Sequence, residues 1–201
     1  MQSRGDVLPK DFSAAVKDIK LAILQSRARA AHASNVEVLK LYFYVGGYVS
    51  KKTRTAKWGS GAIDALSNRL QVELPGLRGF SPASIRKMRL FFEAWVERLE
   101  IRSLPTNELA IAPITTKCSS STNELSVDDA AAFLSVGFTH HVAIFMAVKR
   151  VEERLYYIRR CARECMSVVE LERILAAKEH LLCRRLCVQE DPHGEVGKWS
   201  D

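Results

Sequence analysis

No stretch of this sequence approaches the roughly 18 consecutive apolar residues that a membrane-crossing helix needs. The opening Met1-Gln2-Ser3-Arg4-Gly5-Asp6 has no apolar core behind it of the kind a secretion signal carries. No membrane segment is expected, and the cytoplasm is the expected compartment. Proline (6) and glycine (10) are scarce in 201 residues and fall mostly outside the periodic segments, which excludes collagenous and proline-rich classes. No segment alternates apolar and polar residues convincingly enough to be a strand. Catalytic signatures are missing as well. There is no glycine-rich phosphate loop, no Gly-x-Ser-x-Gly elbow and no His-Glu-x-x-His pair. A metal-dependent nuclease needs carboxylates on neighbouring strands with a lysine nearby. The one short match, Asp18-Ile19-Lys20, sits in a helical stripe instead. With no acid/base pair, nucleophile or cofactor loop, the expectation is a protein that is not an enzyme, holds no cofactor and takes no small-molecule substrate.

What is present is ordinary globular material. Hydrophobic residues make up 47% and charged residues 26%, enough to bury a core in one or two small domains. The five cysteines are Cys118, Cys161, Cys165, Cys183 and Cys187. Cys161/Cys165 and Cys183/Cys187 are i,i+4 pairs, a spacing that puts two thiols on one helix face. Structural zinc sites use tighter loop spacings. Reduced, packed thiols and no metal are therefore expected. His140 and His141 are adjacent, so on a helix they diverge by about 100° and do not share a metal. A core or capping role fits them better.

Charge is distributed unevenly. Residues 1–100 hold 17 basic and 9 acidic residues, while residues 101–201 hold 13 and 14, so the whole +7 excess lies in the first half. It is densest between Lys51 and Arg89. There Lys51, Lys52, Arg54, Lys57, Arg69, Arg78, Arg86, Lys87 and Arg89 face only Asp64 and Glu73. Such a field attracts polyanions, and the bland alternative is a solvated basic surface.

The periodicity predicts an all-α, multi-helix bundle with a long N-terminal helix. That helix starts near Pro9 to Asp11, with Asp11 a possible cap, and buries Phe12, Val16, Ile19 and Ile23, a stripe widened by Leu24, Ala28 and Ala31. Residues 11 to 50 are either one helix or two broken near Ser34-Asn35. Gly46-Gly47 marks a close helix approach or a helix end. Lys51 to Gly59 reads as a basic loop. Ser60 then caps a helix carrying Ile63, Leu66, Leu70 and Leu74, which Leu74-Pro75-Gly76 ends. Ser81-Pro82 starts another helix, to about Leu99, that buries Ile85, Met88, Phe92 and Trp95. Further helices are expected at Val127 to Leu134, Thr139 to Lys149, Val151 to Cys165 and Ser167 to about Leu186, with a capping-box pattern at Ser167-Val168-Val169-Glu170. The chain thus divides into an N-terminal helical half (10–100), a polar linker (101–126), a C-terminal helical half (127–187) and a flexible tail (188–201). Ser81, Ile85 and Met88 are echoed at the same offsets by Ser167, Leu171 and Ile174.

The segment from Ser60 to Trp95 has the layout of a helix-turn-helix, in which the second helix enters the major groove and the first braces it. Ser84, Arg86, Lys87 and Arg89 would then face nucleic acid. Lys51, Lys52, Arg54 and Lys57 would hold phosphates, and Arg69 and Arg78 would flank the backbone. This reading needs cations from separate helices to gather into one stripe. The competing reading is a protein-interaction or dimerisation module that docks a nuclease partner in trans.

Ordered motifs point further. Leu41-Tyr42, Gly46, Trp58-Gly59, Leu66-Ser67, Leu70, Pro75, Gly79-Phe80-Ser81 and Met88-Arg89 follow one another, then Thr139-His140-His141, Val148-Lys149, Glu152-Glu153-Arg154, Tyr156-Tyr157-Ile158, Ser167 and Leu171. The string resembles the N-terminal module of YhcG-type proteins over roughly residues 15 to 180. It departs from that pattern at Phe43, Phe138 and Cys165-Met166. The resemblance implies an all-helical module that contacts DNA and that, in the family, is joined to a nuclease of the PD-(D/E)XK type. What this chain carries looks like the helical module without that nuclease. Only a faint trace of the nuclease's opening Asp-Pro stands at Asp191-Pro192.

Overall fold

A computed structural model describes residues 12–55, 58–59, 61–97 and 126–178. Among these there are seven α-helices and no strand: α1 (Phe12–Thr55), α2 (Ala62–Glu73), α3 (Pro82–Trp95), α4 (Val127–Ser135), α5 (Phe138–Ala147), α6 (Val151–Glu164) and α7 (Val168–Ala177). Asp11, Lys57 and Ser60, the segment 98–125 and the chain from 179 onward, with Cys118, Cys183 and Cys187, lie outside the described residues.

Helix α1 runs unbroken through Ser34-Asn35 for 44 residues. Its second half is the spine of the bundle. Leu39, Phe43, Gly46, Val49 and Ser50 are buried there, against α3. Gly46 and Gly47 allow that contact. A Cβ on Gly46 would collide with the Met88 carbonyl, and one on Gly47 would sit 2.9 Å from a ring carbon of Phe92. Helix α3 begins as expected. Ser81 Oγ accepts the Ser84 N–H, Pro82 occupies the first turn, and Ile85, Met88, Phe91 and Trp95 are buried. The turn before it needs positive φ at Gly76 and Gly79, +87° and +86°. Ser67 Oγ donates to the Phe80 carbonyl and ties α2 to this turn.

One core holds both halves of the chain. Leu39, Phe43, Phe91 and Trp95 from α1 and α3 pack with Phe133 of α4, Ile144 and Phe145 of α5, Leu155, Tyr157 and Ile158 of α6, and Leu171, Ile174 and Leu175 of α7. Asn35 locks α1 to the end of α4 by donating its amide to the carbonyls of Leu134 (2.8 Å) and Val136 (3.2 Å), which a helix end leaves unpaired. His141 is wholly buried and hydrogen-bonds the Phe133 carbonyl at 3.0 Å, and His140 reaches the Met166 carbonyl at 2.9 Å. Both histidines therefore serve packing and helix ends. Ser126 and Ser167 cap α4 and α7. Ser81 and Ser167 play the same part, and Ile85 and Met88 are buried as Leu171 and Ile174 are.

The structure corrects several expectations. Phe12, Val16, Ile19 and Ile23 are exposed, not buried, because no described element packs on the first half of α1. The basic segment after Val49 is not a loop as far as Thr55: α1 continues through Lys51, Lys52 and Arg54. The N-cap of α2 is Gly61, which provides no side-chain hydrogen bond. Leu74 is exposed, and Phe91 takes the central buried place in α3 that Phe92 was expected to share. Cys161 is buried in α6, while Cys165 ends that helix in the left-handed region (φ 48°) and is exposed, so the two thiols do not share an environment.

Candidate nucleic-acid interface

The last turns of α1, Trp58-Gly59, the start of α2 and the outer face of α3 enclose a groove of about 430 Å³. Thr53, Trp58, Gly59, Ile63, Arg86, Arg89 and Leu90 line it. α3 supplies both arginines from one side because residues three apart lie on neighbouring parts of a helix surface. The buried trio Val49, Ile63 and Ile85 fixes α1, α2 and α3 around it.

Electrostatically the groove is basic but partly compensated. Arg86 makes a two-pronged contact with Asp64 of α2, at 3.0 and 2.9 Å. Glu93 stands one turn after Arg89 on α3. It accepts a hydrogen bond from Ser50 (2.8 Å) and lies 3.7 Å from Arg89 and 3.9 Å from Arg54. The Arg89 contact is too long for a hydrogen bond, and Arg89 Nε has no acceptor. Lys52 lies over the Tyr48 ring, 5.6 Å from its centroid, and that ring meets Trp58 edge-on. So Arg86 and Arg89 line the groove, Arg54 shares Glu93 with Arg89, and Lys52 lies beside the groove's aromatic wall.

Other expected site residues fall elsewhere. Arg69 is exposed on α2 and paired with Glu73 at 2.6 Å. Arg78 is exposed in the α2–α3 turn. Lys87 is exposed, about 100° around α3 from Arg86. Ser84 is half-buried and bonded to Ser81 Oγ (2.9 Å), about 160° from Arg86 around the helix axis. Lys51 is exposed on the last turns of α1, and Lys57 lies outside the described residues. Sequence reasoning missed the carboxylates. Glu93 stands four residues after Arg89, a spacing legible in the chain, whereas the Asp64–Arg86 pair spans two helices and leaves no local signal.

Among the described residues no group of His, Cys, Asp and Glu could hold a metal ion, and no single helix is long and apolar enough to cross a membrane. The structure is that of an all-α multi-helix bundle with an arginine-lined groove at one end of its spine. The family model described as the DUF1016 N-terminal domain matches residues 18–181, and the chain belongs to that family. This agrees with the YhcG-type resemblance carried by the motifs. No curated protein and no solved structure matches the chain.

Proposed function

We propose that this chain is a non-catalytic nucleic-acid-binding module, with DNA as the expected ligand. The observation that carries this reading is that Arg86 and Arg89 line one groove walled by Trp58, with Arg54 near Arg89 through their shared neighbour Glu93. A guanidinium fork suits phosphate oxygens and guanine edges, and an aromatic wall suits a base or sugar. The existing ion pairs oppose binding only weakly. An exposed pair such as Arg86–Asp64 is worth about 0–1 kcal/mol, so a phosphate replaces Asp64 as a partner at small cost. Arg89, held by Glu93 only at 3.7 Å, gives up little when its guanidinium takes a phosphate. Lys52 adds charge beside the groove's aromatic wall, Lys51 and Lys87 add exposed charge on α1 and α3, and the α2–α3 pair is the helix-turn-helix-like element of the reading.

The test is a DNA titration at rising salt. With about six phosphate contacts the plot of log K against log salt has a slope near −5. Replacing Arg86, Lys87 and Arg89 together by Ala abolishes binding while the fold, read by circular dichroism, stays unchanged. Absence of binding at low salt, or a slope near zero, removes the reading. The second reading, a protein-interaction module that docks a nuclease in trans, draws on the exposed apolar first half of α1. Binding to DNA that survives the triple substitution leaves the groove without its assigned role.

A further inference from the structure

We propose that the arginine-lined groove takes an unpaired DNA strand, with a base lying face-on against Trp58, in preference to a double helix. This deepens the nucleic-acid reading above and rests on it. The groove, about 430 Å³, mixes two kinds of lining: the guanidinium groups of Arg86 and Arg89, and the apolar surface of Trp58, Ile63 and Leu90. Leu90 is 37% exposed beside both arginines on α3. A duplex offers a protein its phosphates, sugars and base edges, while the faces of its bases are stacked on one another. An aromatic and aliphatic wall gains little from such a surface. An unpaired base has a free face, and stacking that face on an aromatic side chain is favourable whatever the base. The volume suits a single group of this kind, since sites for small molecules run from about 300 to 1,000 Å³.

The placement of the arginines points the same way. Ser50 of α1 reaches Glu93 of α3, and Asp64 of α2 reaches Arg86. Thr53 of α1 and Ile63 of α2 line the groove together with α3. Arg86 and Arg89 thus lie in a valley between three helices. A helix that reads a major groove has to enter it as a ridge. A flexible strand descends into a valley, with phosphates on the arginines and a base on Trp58.

Tyr48 extends this path beyond the groove. It is 48% exposed, and its ring centre lies 6.4 Å from that of Trp58 with the two planes 69° apart. Parallel bases of a helix do not cover two faces set at that angle, whereas the bases of an unpaired strand splay apart. Lys52, 5.6 Å from the centre of the Tyr48 ring, sets a cation beside this second platform. A second ring with its own cation fits a strand, in which a phosphate follows each base, better than a free nucleotide.

Anisotropy titrations of the full chain with a labelled oligothymidine strand and with a labelled duplex of equal length, at one low salt concentration, test this. The strand should bind at least about tenfold more tightly than the duplex. Trp58→Ala should weaken strand binding by about 5- to 150-fold, the loss of one stacked base, with helix content unchanged. Trp58→Phe, which keeps a ring, should restore most of that loss, and Tyr48→Ala should weaken the strand while leaving the duplex as it was. Equal or tighter binding of the duplex overturns the proposal, as does a Trp58→Ala loss of the same size on both forms. The nucleic-acid reading stands in either case. Thymidine monophosphate that competes as well as the strand, mole for mole, overturns the strand in favour of a free nucleotide. Failure of both strand and duplex to bind removes the nucleic-acid reading itself, and this proposal with it.

Discussion

His141 shows what burial does to one side chain. It is fully enclosed, with its ring 4.3 Å from Phe133 and 5.3 Å from Phe91 by centroid. Burial lowers its pKa from 6.5 to about 4, so the folded protein keeps the imidazole neutral where the unfolded chain takes up a proton. Stability is therefore complete above pH 6.5 and declines as the pH falls toward 4, with a loss of about 2 kcal/mol by pH 5. Urea unfolding at pH 7 and pH 5 checks this, and His141→Gln should flatten the difference. Asp129 acts in a separate window. Its hydrogen bond from Arg159 holds the carboxyl below its usual 3.8, so its contribution is present above that value and is lost only in stronger acid. Arg154 is a half-buried anchor, donating to the carbonyls of Val148 (2.8 Å) and Ala94 (2.9 Å). Arg154→Lys keeps the charge but not the two-directional fork, and should cost about 1–3 kcal/mol in a denaturation midpoint.

At the scale of the element, α1 has two halves with opposite apolar faces. Its second half approaches α3 closely because Gly46 and Gly47 have no side chain to hold the helices apart. Gly46→Ala should gain about 1 kcal/mol of helix propensity yet still be a net destabilisation of about 1–3 kcal/mol, since the new methyl meets backbone that does not yield. Gly47→Ala meets the movable edge of the Phe92 ring and should cost less. Chemical denaturation of the two variants orders them. The Gly-Gly pair was legible in the sequence as either a close helix approach or a helix end, and the contact with Met88 and Phe92 makes it the former. The cover for Phe12, Val16, Ile19 and Ile23 was not. Spacing reveals that a helix has an apolar face, and says nothing of whether the same chain supplies what packs on it.

At the scale of the whole molecule, the first half of the chain carries the positive charge and also the groove. The core around it is shared, with Phe91 and Trp95 of α3 packed on Phe133 of α4. This is why the groove's arginines stand on a rigid helix. The linear excess of nine cations over Asp64 and Glu73 was legible, and their convergence was only partly so. Glu93 lies just beyond that window and offsets Arg54 and Arg89, while Asp64 reaches Arg86 across two helices. Added salt should weaken DNA binding, because it competes for the phosphate contacts. A DNA titration across a salt series would show this.

The sequence alone determined most of the helices, the caps at Ser81 and Ser167 and the register of the apolar faces, because these depend on neighbours within about four residues. Only the tertiary structure decided which faces are covered, which arginines keep an acidic partner and which cations share a groove. Those outcomes depend on contacts between residues far apart in the chain, as Asn35 with Leu134 and Arg86 with Asp64 show.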